Sequence, residues 1–132
     1  MSRWKQAAAS LLLLLLGGCA ARNGEDNAYR QVTMDEAVQL METETDYLVV
    51  DVRTPEEFEE KHIPGAVLVP NESIADEPPA ALPDREQMLL IYCRSGNRSK
   101  QAAAKLAALG YTNVIEFGGI NSWTGETVSG AV

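Results

Sequence analysis

An apolar run that ends at a cysteine constrains the fold of this chain more than any other feature. Residues 88–92 read Met-Leu-Leu-Ile-Tyr, which is typical of a strand buried on both faces of a sheet. Residues 93–99, Cys-Arg-Ser-Gly-Asn-Arg-Ser, follow directly and contain the turn-forming Gly96. Apolar residues then recur at helical spacing as far as Gly110, where the helix is expected to end. The pattern predicts a strand, a short loop that begins at Cys93, and a helix.

Other segments repeat this alternation of strands and helices. Further strands are predicted at residues 47–50, 66–69 and 113–117, and further helices at residues 34–41 and 55–60. Thr33 and Thr54 precede the two helices and can cap them. Residues 71–85 contain prolines and acids and are predicted as a loop with at most a turn or two of helix. The alternation indicates an α/β sandwich with a mainly parallel sheet.

The length and charge of the chain exclude several classes of protein. At 132 residues it is long enough for one domain with a hydrophobic core and too short for two. Its net charge is −8, and it becomes −10 without Arg3 and Lys5 near the N-terminus. A chain this acidic argues against nucleic acid as a partner.

The first nineteen residues have the composition of an export signal. Arg3 and Lys5 precede an apolar run at residues 7–16, which is too short to span a bilayer comfortably. Residues 16–19, Leu-Gly-Gly-Cys, resemble the lipobox of bacterial lipoproteins, in which the cysteine is acylated and becomes the new N-terminus. An ordinary signal peptide cut near residues 20–21 is the alternative.

The lipobox resemblance implies how the chain is divided and where it is located. Residues 1–18 would be the signal peptide, residues 19–28 a lipidated N-terminus and flexible tether, and residues 29–132 the folded domain. Lipid on Cys19 would anchor the protein at the bacterial cell envelope. Because Ala20 rather than aspartate follows this cysteine, the periplasmic side of the outer membrane is expected in a Gram-negative cell.

Cys93 is the candidate nucleophile. Loop N–H groups and the N-terminal end of the following helix would direct partial positive charge at its sulfur, and Arg94 and Arg98 add two full charges. These groups favour the thiolate form. If Cys19 is acylated, Cys93 is the only thiol left in the chain, which favours a use for the sulfur over a small buried structural cysteine.

Three separated motifs resemble those of the rhodanese family of sulfurtransferases. The first is the active-site loop at residues 93–99. Residues 51–58, Asp-Val-Arg-Thr-Pro-Glu-Glu-Phe, with residues 62–66, His-Ile-Pro-Gly-Ala, are similar to the family's D-x-R-x-x-x-E-F and H-I-x-G-A elements. Residues 118–123 are similar to its closing G-G-x-x-x-W element. The resemblance covers residues 29–128 and implies a three-layer sandwich with a central sheet of about five strands.

The resemblance also implies roles for the residues of the loop. Cys93 would carry the transferred sulfur as a persulfide, with no metal and no organic cofactor. Arg94 would contact the substrate, and Gly96 would adopt the positive φ that lets the loop amides converge. Arg98 would reach over the loop to an anionic donor such as thiosulfate, or brace the loop carbonyls. The other backbone N–H groups of the loop would come from Ser95, Asn97 and Ser99. Ser99 would also cap the helix.

Residues outside the loop are expected to support it. Asp51 and Arg53 are predicted to form an ion pair that shapes the pocket. His62 is interpreted as part of a structural turn rather than as a catalytic base, and Trp123 as a core residue. The glutamates of residues 55–60 are interpreted as a solvated helix face.

The function predicted from these motifs is transfer of a sulfane sulfur from thiosulfate or a persulfide donor, through Cys93, to cyanide or a thiol acceptor. Cysteine and arginine are spaced C-x4-R, one residue shorter than the C-x5-R of cysteine phosphatases, so a phosphatase or arsenate reductase is a weaker alternative. A second alternative is a module at the cell envelope that carries a persulfide or binds a partner without turnover. The expected partners are small sulfur compounds and, through Cys19, a membrane.

Overall fold

A computed structural model describes residues 29–131 of the chain. It contains five strands, three α-helices and two short 3-10 turns. The strands are β1 (Arg30–Gln31), β2 (Tyr47–Asp51), β3 (Val67–Leu68), β4 (Met88–Cys93) and β5 (Val114–Gly119). The helices are α1 (Met34–Thr43), α2 (Pro55–Glu60) and α3 (Asn97–Ala108), and the 3-10 turns are Asn71–Ser73 and Ile120–Ser122. The predicted signal peptide, Cys19 and tether lie outside the described residues.

The five strands form one parallel sheet in the order β1-β5-β4-β2-β3. The predicted mainly parallel sheet of about five strands is therefore confirmed. Strand β1 was not predicted from the sequence, because two residues cannot show a strand period. Strand β5 extends two residues beyond its predicted end, because Gly119 pairs with Cys93 after a shift in register.

The sheet separates two apolar layers. Successive side chains of a strand point to opposite faces, so alternate residues of β4 enter different layers. One layer packs against α3 and includes Leu89, Ile91, Cys93, Ala102, Ala103 and Leu106. The other packs against α1 and includes Ala37, Leu90, Tyr92, Ile115 and Phe117. These layers confirm the predicted sandwich and place Cys93 on the α3 side.

Two of the three helices begin as predicted. Thr33 and Thr54 each accept a hydrogen bond from the third helical N–H, and the glutamate at that position bonds back to the cap, which completes a capping box at α1 and α2. Within residues 29–131, no helix is both long and apolar enough to cross a membrane.

Helix α3 begins differently, and the prediction that Ser99 caps it is wrong. The N-cap is Gly96, with φ of +119° and no side-chain cap, so Ser99 is the third helical residue. Glycine adopts this left-handed conformation without the steric penalty of a side chain, which lets the helix begin early in the loop. The hydroxyl of Ser99 is thereby released for contacts inside the site.

Candidate active site

Cys93 lies at the carboxyl end of β4, where the loop begins. Its side chain is fully buried. The backbone N–H of Gly96 donates to Sγ at 3.0 Å, and Sγ lies 3.4 Å from the hydroxyl oxygen of Ser99. Among the described residues, Gly96 is the one loop amide that donates to the sulfur, whereas the sequence predicted several converging amides. The loop thus offers the sulfur one amide donor and one hydroxyl.

Glycines of the loop and of β5 allow their backbones to meet. The positive φ predicted for Gly96 is present. A Cβ atom on Gly119 would overlap the carbonyl group of Arg94 and lie 2.6 Å from the amide nitrogen of Ser95. The amide of Asn121 then donates to the Arg94 carbonyl oxygen at 3.1 Å. The second glycine of the Gly118-Gly119 pair is therefore required because the catalytic loop rests directly on it.

Glu116 was not predicted as a site residue, but the structure places it beside the loop. Its side chain is buried, and Oε2 accepts from Ser99 Oγ at 2.6 Å and from the Gly118 amide at 2.9 Å. The amide of Gln31 donates to Oε1 at 3.2 Å. The signal in the sequence that could have identified Glu116 is a charged residue inside the apolar run of β5, where a core residue is expected.

Arg98 does not reach over the loop as predicted. Its guanidinium pairs with Glu57 of α2 through two contacts, at 2.8 Å and 3.1 Å. The hydrogen bonds from Arg98, together with bonds from Thr54, lower the pKa of Glu57 to about 2 despite partial burial. The Glu57 hydrogen bond in turn raises the pKa of Arg98. The interpretation of the α2 glutamates as a purely solvated face is therefore wrong for Glu57, which holds the first turn of α3.

The predicted ion pair between Asp51 and Arg53 is present. It is buried, with Arg53 Nη2 2.7 Å from Asp51 Oδ2, and the Tyr92 hydroxyl donates to the same oxygen at 2.7 Å. Burial opposes the charge of Arg53, but the hydrogen bond and charge of Asp51 outweigh it and raise the pKa of Arg53. Burial raises the pKa of Tyr92 as well.

This ion pair does not contact the Cys93 side chain. Asp51 and Tyr92 lie on the α1 side of the sheet, whereas Cys93 lies on the α3 side. Arg53 also donates to the carbonyl oxygen of Lys61 at 2.7 Å. The pair stabilises the two ends of the segment that carries α2, so its influence on the pocket is indirect.

The remaining predicted residues fall into two groups. Arg94, Ser95 and Asn97 are exposed around the buried thiol, and their contacts with substrate stay predictions. His62 is buried, with Nδ1 2.8 Å from the Phe58 carbonyl oxygen and its ring stacked on Phe58 at 3.7 Å. These contacts agree with a structural turn.

A cleft of about 280 Å³ opens beside the loop. Ser95, Gly96, Gly118 and Gly119 line its loop side, and Lys100 and Glu116 place one charge of each sign in its wall. The cleft gives a small anion a position next to the loop that covers Cys93.

Comparison with known proteins agrees with the motifs and the fold. A model of the rhodanese-like domain matches residues 33–126. The chain belongs to the rhodanese-like domain family. It is 36% identical over 107 residues to the thiosulfate sulfurtransferase GlpE of Pseudomonas syringae, which covers 77% of this chain and 97% of that protein. It is 33% identical over 81 residues to the thiosulfate sulfurtransferase PspE of Escherichia coli K12, which covers 61% of this chain and 78% of that protein.

A solved structure shows the same rhodanese fold. The structure described as a rhodanese with anions from E. coli superimposes with a TM-score of 0.58 at 32% identity and covers 64% of this chain and 99% of that one. The predicted family and fold class are therefore confirmed.

Proposed function

We propose that this rhodanese-like protein is a sulfurtransferase that moves a sulfane sulfur through a persulfide on Cys93. The observation that carries the proposal is the burial of the Cys93 sulfur against the Gly96 amide at the turn between β4 and α3. The Gly96 N–H donor at 3.0 Å and the N-terminal end of α3 stabilise negative charge on sulfur in both the thiolate and the persulfide. The thiosulfate sulfurtransferases to which the chain is similar support the same reaction class.

The reaction consists of two displacements at sulfur. The Cys93 thiolate attacks the outer sulfur of thiosulfate, the S–S bond of the donor breaks, and sulfite leaves with the bonding electron pair. Cyanide or a thiolate then attacks the outer sulfur of the Cys93 persulfide, and Cys93 departs again as a thiolate. The sulfur atom is transferred without net oxidation of the protein, and a persulfide donor would follow the same course with a thiolate as its leaving group.

Charged residues around the loop are suited to an anionic donor. Arg94 is exposed beside Cys93, and Lys100 lines the adjoining cleft. Arg98 is bound to Glu57, so it acts mainly by holding the first turn of α3. We therefore assign attraction of the donor to Arg94 and Lys100, and support of the loop to Arg98. Asp51 and Arg53 act indirectly, because they stabilise the segment that carries α2, whose Glu57 binds Arg98.

Formation of thiocyanate from thiosulfate and cyanide tests the proposal. The wild-type chain and the Cys19→Ser variant should both form thiocyanate, whereas Cys93→Ser should not, because serine cannot hold a sulfane sulfur. Cys19→Ser is the matched control, since it removes the other cysteine of the chain. Equal thiocyanate from wild type and Cys93→Ser would reject the assignment. A stable gain of one sulfur atom on Cys93 without thiocyanate would instead identify a persulfide carrier.

We further propose that the protein is anchored at the bacterial cell envelope through lipid on Cys19. The support is the sequence of residues 1–19, with two cations, an apolar run and Leu-Gly-Gly-Cys in that order. In a Gram-negative host, the wild type and Cys93→Ser should fractionate with membranes, and Cys19→Ser should not. Acyl chains on the N-terminal peptide, measured by mass spectrometry, give the direct readout. Recovery of Cys19→Ser in the membrane fraction at the wild-type level would reject the anchor.

A further inference from the structure

The proposed sulfur transfer leaves one buried ionisable group unused. Glu116 is 2% exposed, and within residues 29–131 no lysine or arginine lies within ion-pair distance of it. Its carboxylate is satisfied by the Ser99 hydroxyl, the Gly118 amide and the Gln31 side chain. A buried carboxylate without a cation is costly, even when it is hydrogen-bonded. Its position next to the residue that contacts Cys93 indicates a role in the chemistry of the thiol.

The hydroxyl of Ser99 links Glu116 to Cys93. Ser99 Oγ lies 2.6 Å from Glu116 Oε2, 2.9 Å from the Gly96 carbonyl oxygen and 3.4 Å from Cys93 Sγ. A hydroxyl has only one hydrogen to donate. The 2.6 Å contact is in the range of a charge-assisted bond, so Ser99 donates to the ionised Glu116. The oxygen of Ser99 is then left to accept the S–H of Cys93, which holds the sulfur as a thiol.

Protonation of Glu116 reverses the direction of both hydrogen bonds. The Cys93 proton passes to Ser99 Oγ while the proton of Ser99 passes to Glu116 Oε2, which leaves a thiolate and a neutral carboxylic acid. The net charge of the three residues is unchanged. Simultaneous charge on Cys93 and Glu116 is disfavoured, because two like charges would be buried a few ångströms apart. In this arrangement the two groups share one negative charge.

We propose that Glu116 is a positioning residue that acts through Ser99, so that its carboxylate holds Cys93 as a thiol and its protonated form allows the thiolate. Few other charges surround the pair. Arg94 follows Cys93 directly and is exposed, Lys100 of α3 lines the same cleft as Glu116, and Arg98 of α3 lies close enough to interact with the charge of Cys93. The β1 contact to Glu116 is the uncharged Gln31. The inference deepens the proposed sulfur transfer and rests on it, because the thiolate is the attacking form.

The Glu116→Gln variant provides the sharpest test. The glutamine amide carries no charge at any pH, so the variant has the charge of protonated Glu116, and its carbonyl oxygen can still accept from the Gly118 amide. We expect the pH at which alkylation of Cys93 reaches half its maximal rate to fall by about one unit or more, which raises the rate on the acid side about tenfold. In a Ser99→Ala background the same substitution should produce a smaller shift, because the hydrogen-bonded link is absent.

Alkylation should be followed on the full chain with iodoacetamide between about pH 5 and pH 9, with the Cys93 peptide quantified by mass spectrometry so that Cys19 does not contribute. An unchanged or raised midpoint in Glu116→Gln would overturn the proposal.

Infrared spectra give a second readout that is independent of alkylation. While the pair carries a single negative charge, any weakening of the Cys93 S–H band in the wild type must be matched by a protonated carboxyl band that Glu116→Gln lacks. Absence of that carboxyl band also overturns the proposal. Formation of the Cys93 persulfide by the wild type is measured in a separate experiment. A failure of the proposed sulfur transfer is thereby distinguished from a failure of the inference about Glu116.

Discussion

Replacement of Gly119 by alanine isolates the contact between the catalytic loop and β5. Gly119 has φ of −142° and ψ of 159°, an extended conformation that alanine adopts without strain. The obstacle is space, because the new Cβ would overlap the Arg94 carbonyl and crowd the Ser95 amide nitrogen. Both neighbours are backbone atoms, so no side-chain rotation relieves the overlap.

The loss of stability and activity in Gly119→Ala depends on how the overlap is relieved. If the loop keeps its position, overpacking costs about 1–3 kcal/mol, which lowers the Tm of a domain of this size by roughly 4–20 °C. If the loop moves instead, Cys93 is displaced by about 1 Å or more, and a misplacement of that size costs about 100-fold in catalysis. We expect kcat/KM for thiosulfate to fall about 100-fold, accompanied by a smaller loss of stability.

The matched control is Gly65→Ala. Gly65 has φ of +81°, and apart from Gly65 and its two chain neighbours no atom of the described residues lies within 4 Å of the position that a Cβ would take there. Alanine at this position therefore strains the backbone and touches nothing. It should lower the free energy of unfolding by about 1 kcal/mol, with a corresponding fall in Tm, and leave kcat/KM within about twofold of the wild-type value. Thiocyanate release and thermal unfolding would be measured on both variants. Activity of Gly119→Ala within twofold of wild type, at an unchanged Tm, would refute the claim that the loop rests on this glycine.

Three further substitutions test the contacts around the site. Because the pKa of Glu57 is lowered to about 2 in the folded state, its pair with Arg98 stabilises the protein fully above about pH 4.5, and this contribution is lost as pH falls toward 2. Glu57→Gln should therefore cost about 0.2–1 kcal/mol at pH 7 and less at pH 3, measured by urea unfolding, and a pH-independent cost contradicts the pairing. Asp51→Ala leaves the Arg53 guanidinium buried without its partner and should cost about 3–5 kcal/mol, whereas a loss below 1 kcal/mol contradicts the assigned burial. Tyr92→Phe removes the hydroxyl shared by Asp51 and the Ile63 amide and should cost about 1–3 kcal/mol, with kcat/KM for the folded fraction changed less than about threefold.

The features that could be predicted from the sequence are those with local causes. The threonine before each helix and the glutamate three residues later form capping boxes from nearby residues, so Thr33 and Thr54 were identified correctly. Strand β4 and the positive φ of Gly96 were also predicted correctly. The strand was indicated by a continuous apolar run, and the positive φ by the glycine residue type. Strand β1 escaped prediction because it exists only through its pairing with β5.

The errors concern residues whose partners are distant in sequence. Arg98 binds Glu57, 41 residues away, and no spacing rule relates two such positions. Ser99 has the residue type of a cap, but Gly96 begins the helix and the Ser99 hydroxyl bonds instead to Glu116, 17 residues later. Each error has the same physical origin, since a polar side chain satisfied local criteria while the tertiary fold supplied a stronger partner from another element.

The acids that hold the catalytic loop come from elements other than α3. The first turn of α3 contains no acidic residue, although the N-terminal end of a helix favours negative charge. Glu57 of α2 binds Arg98 in that turn, and Glu116 of β5 binds Ser99 in the same turn. Cys93 thus shares the positive end of the helix with two carboxylates that only the tertiary fold brings there. A change of charge at either carboxylate should therefore alter the reactivity of Cys93, even though neither touches the sulfur.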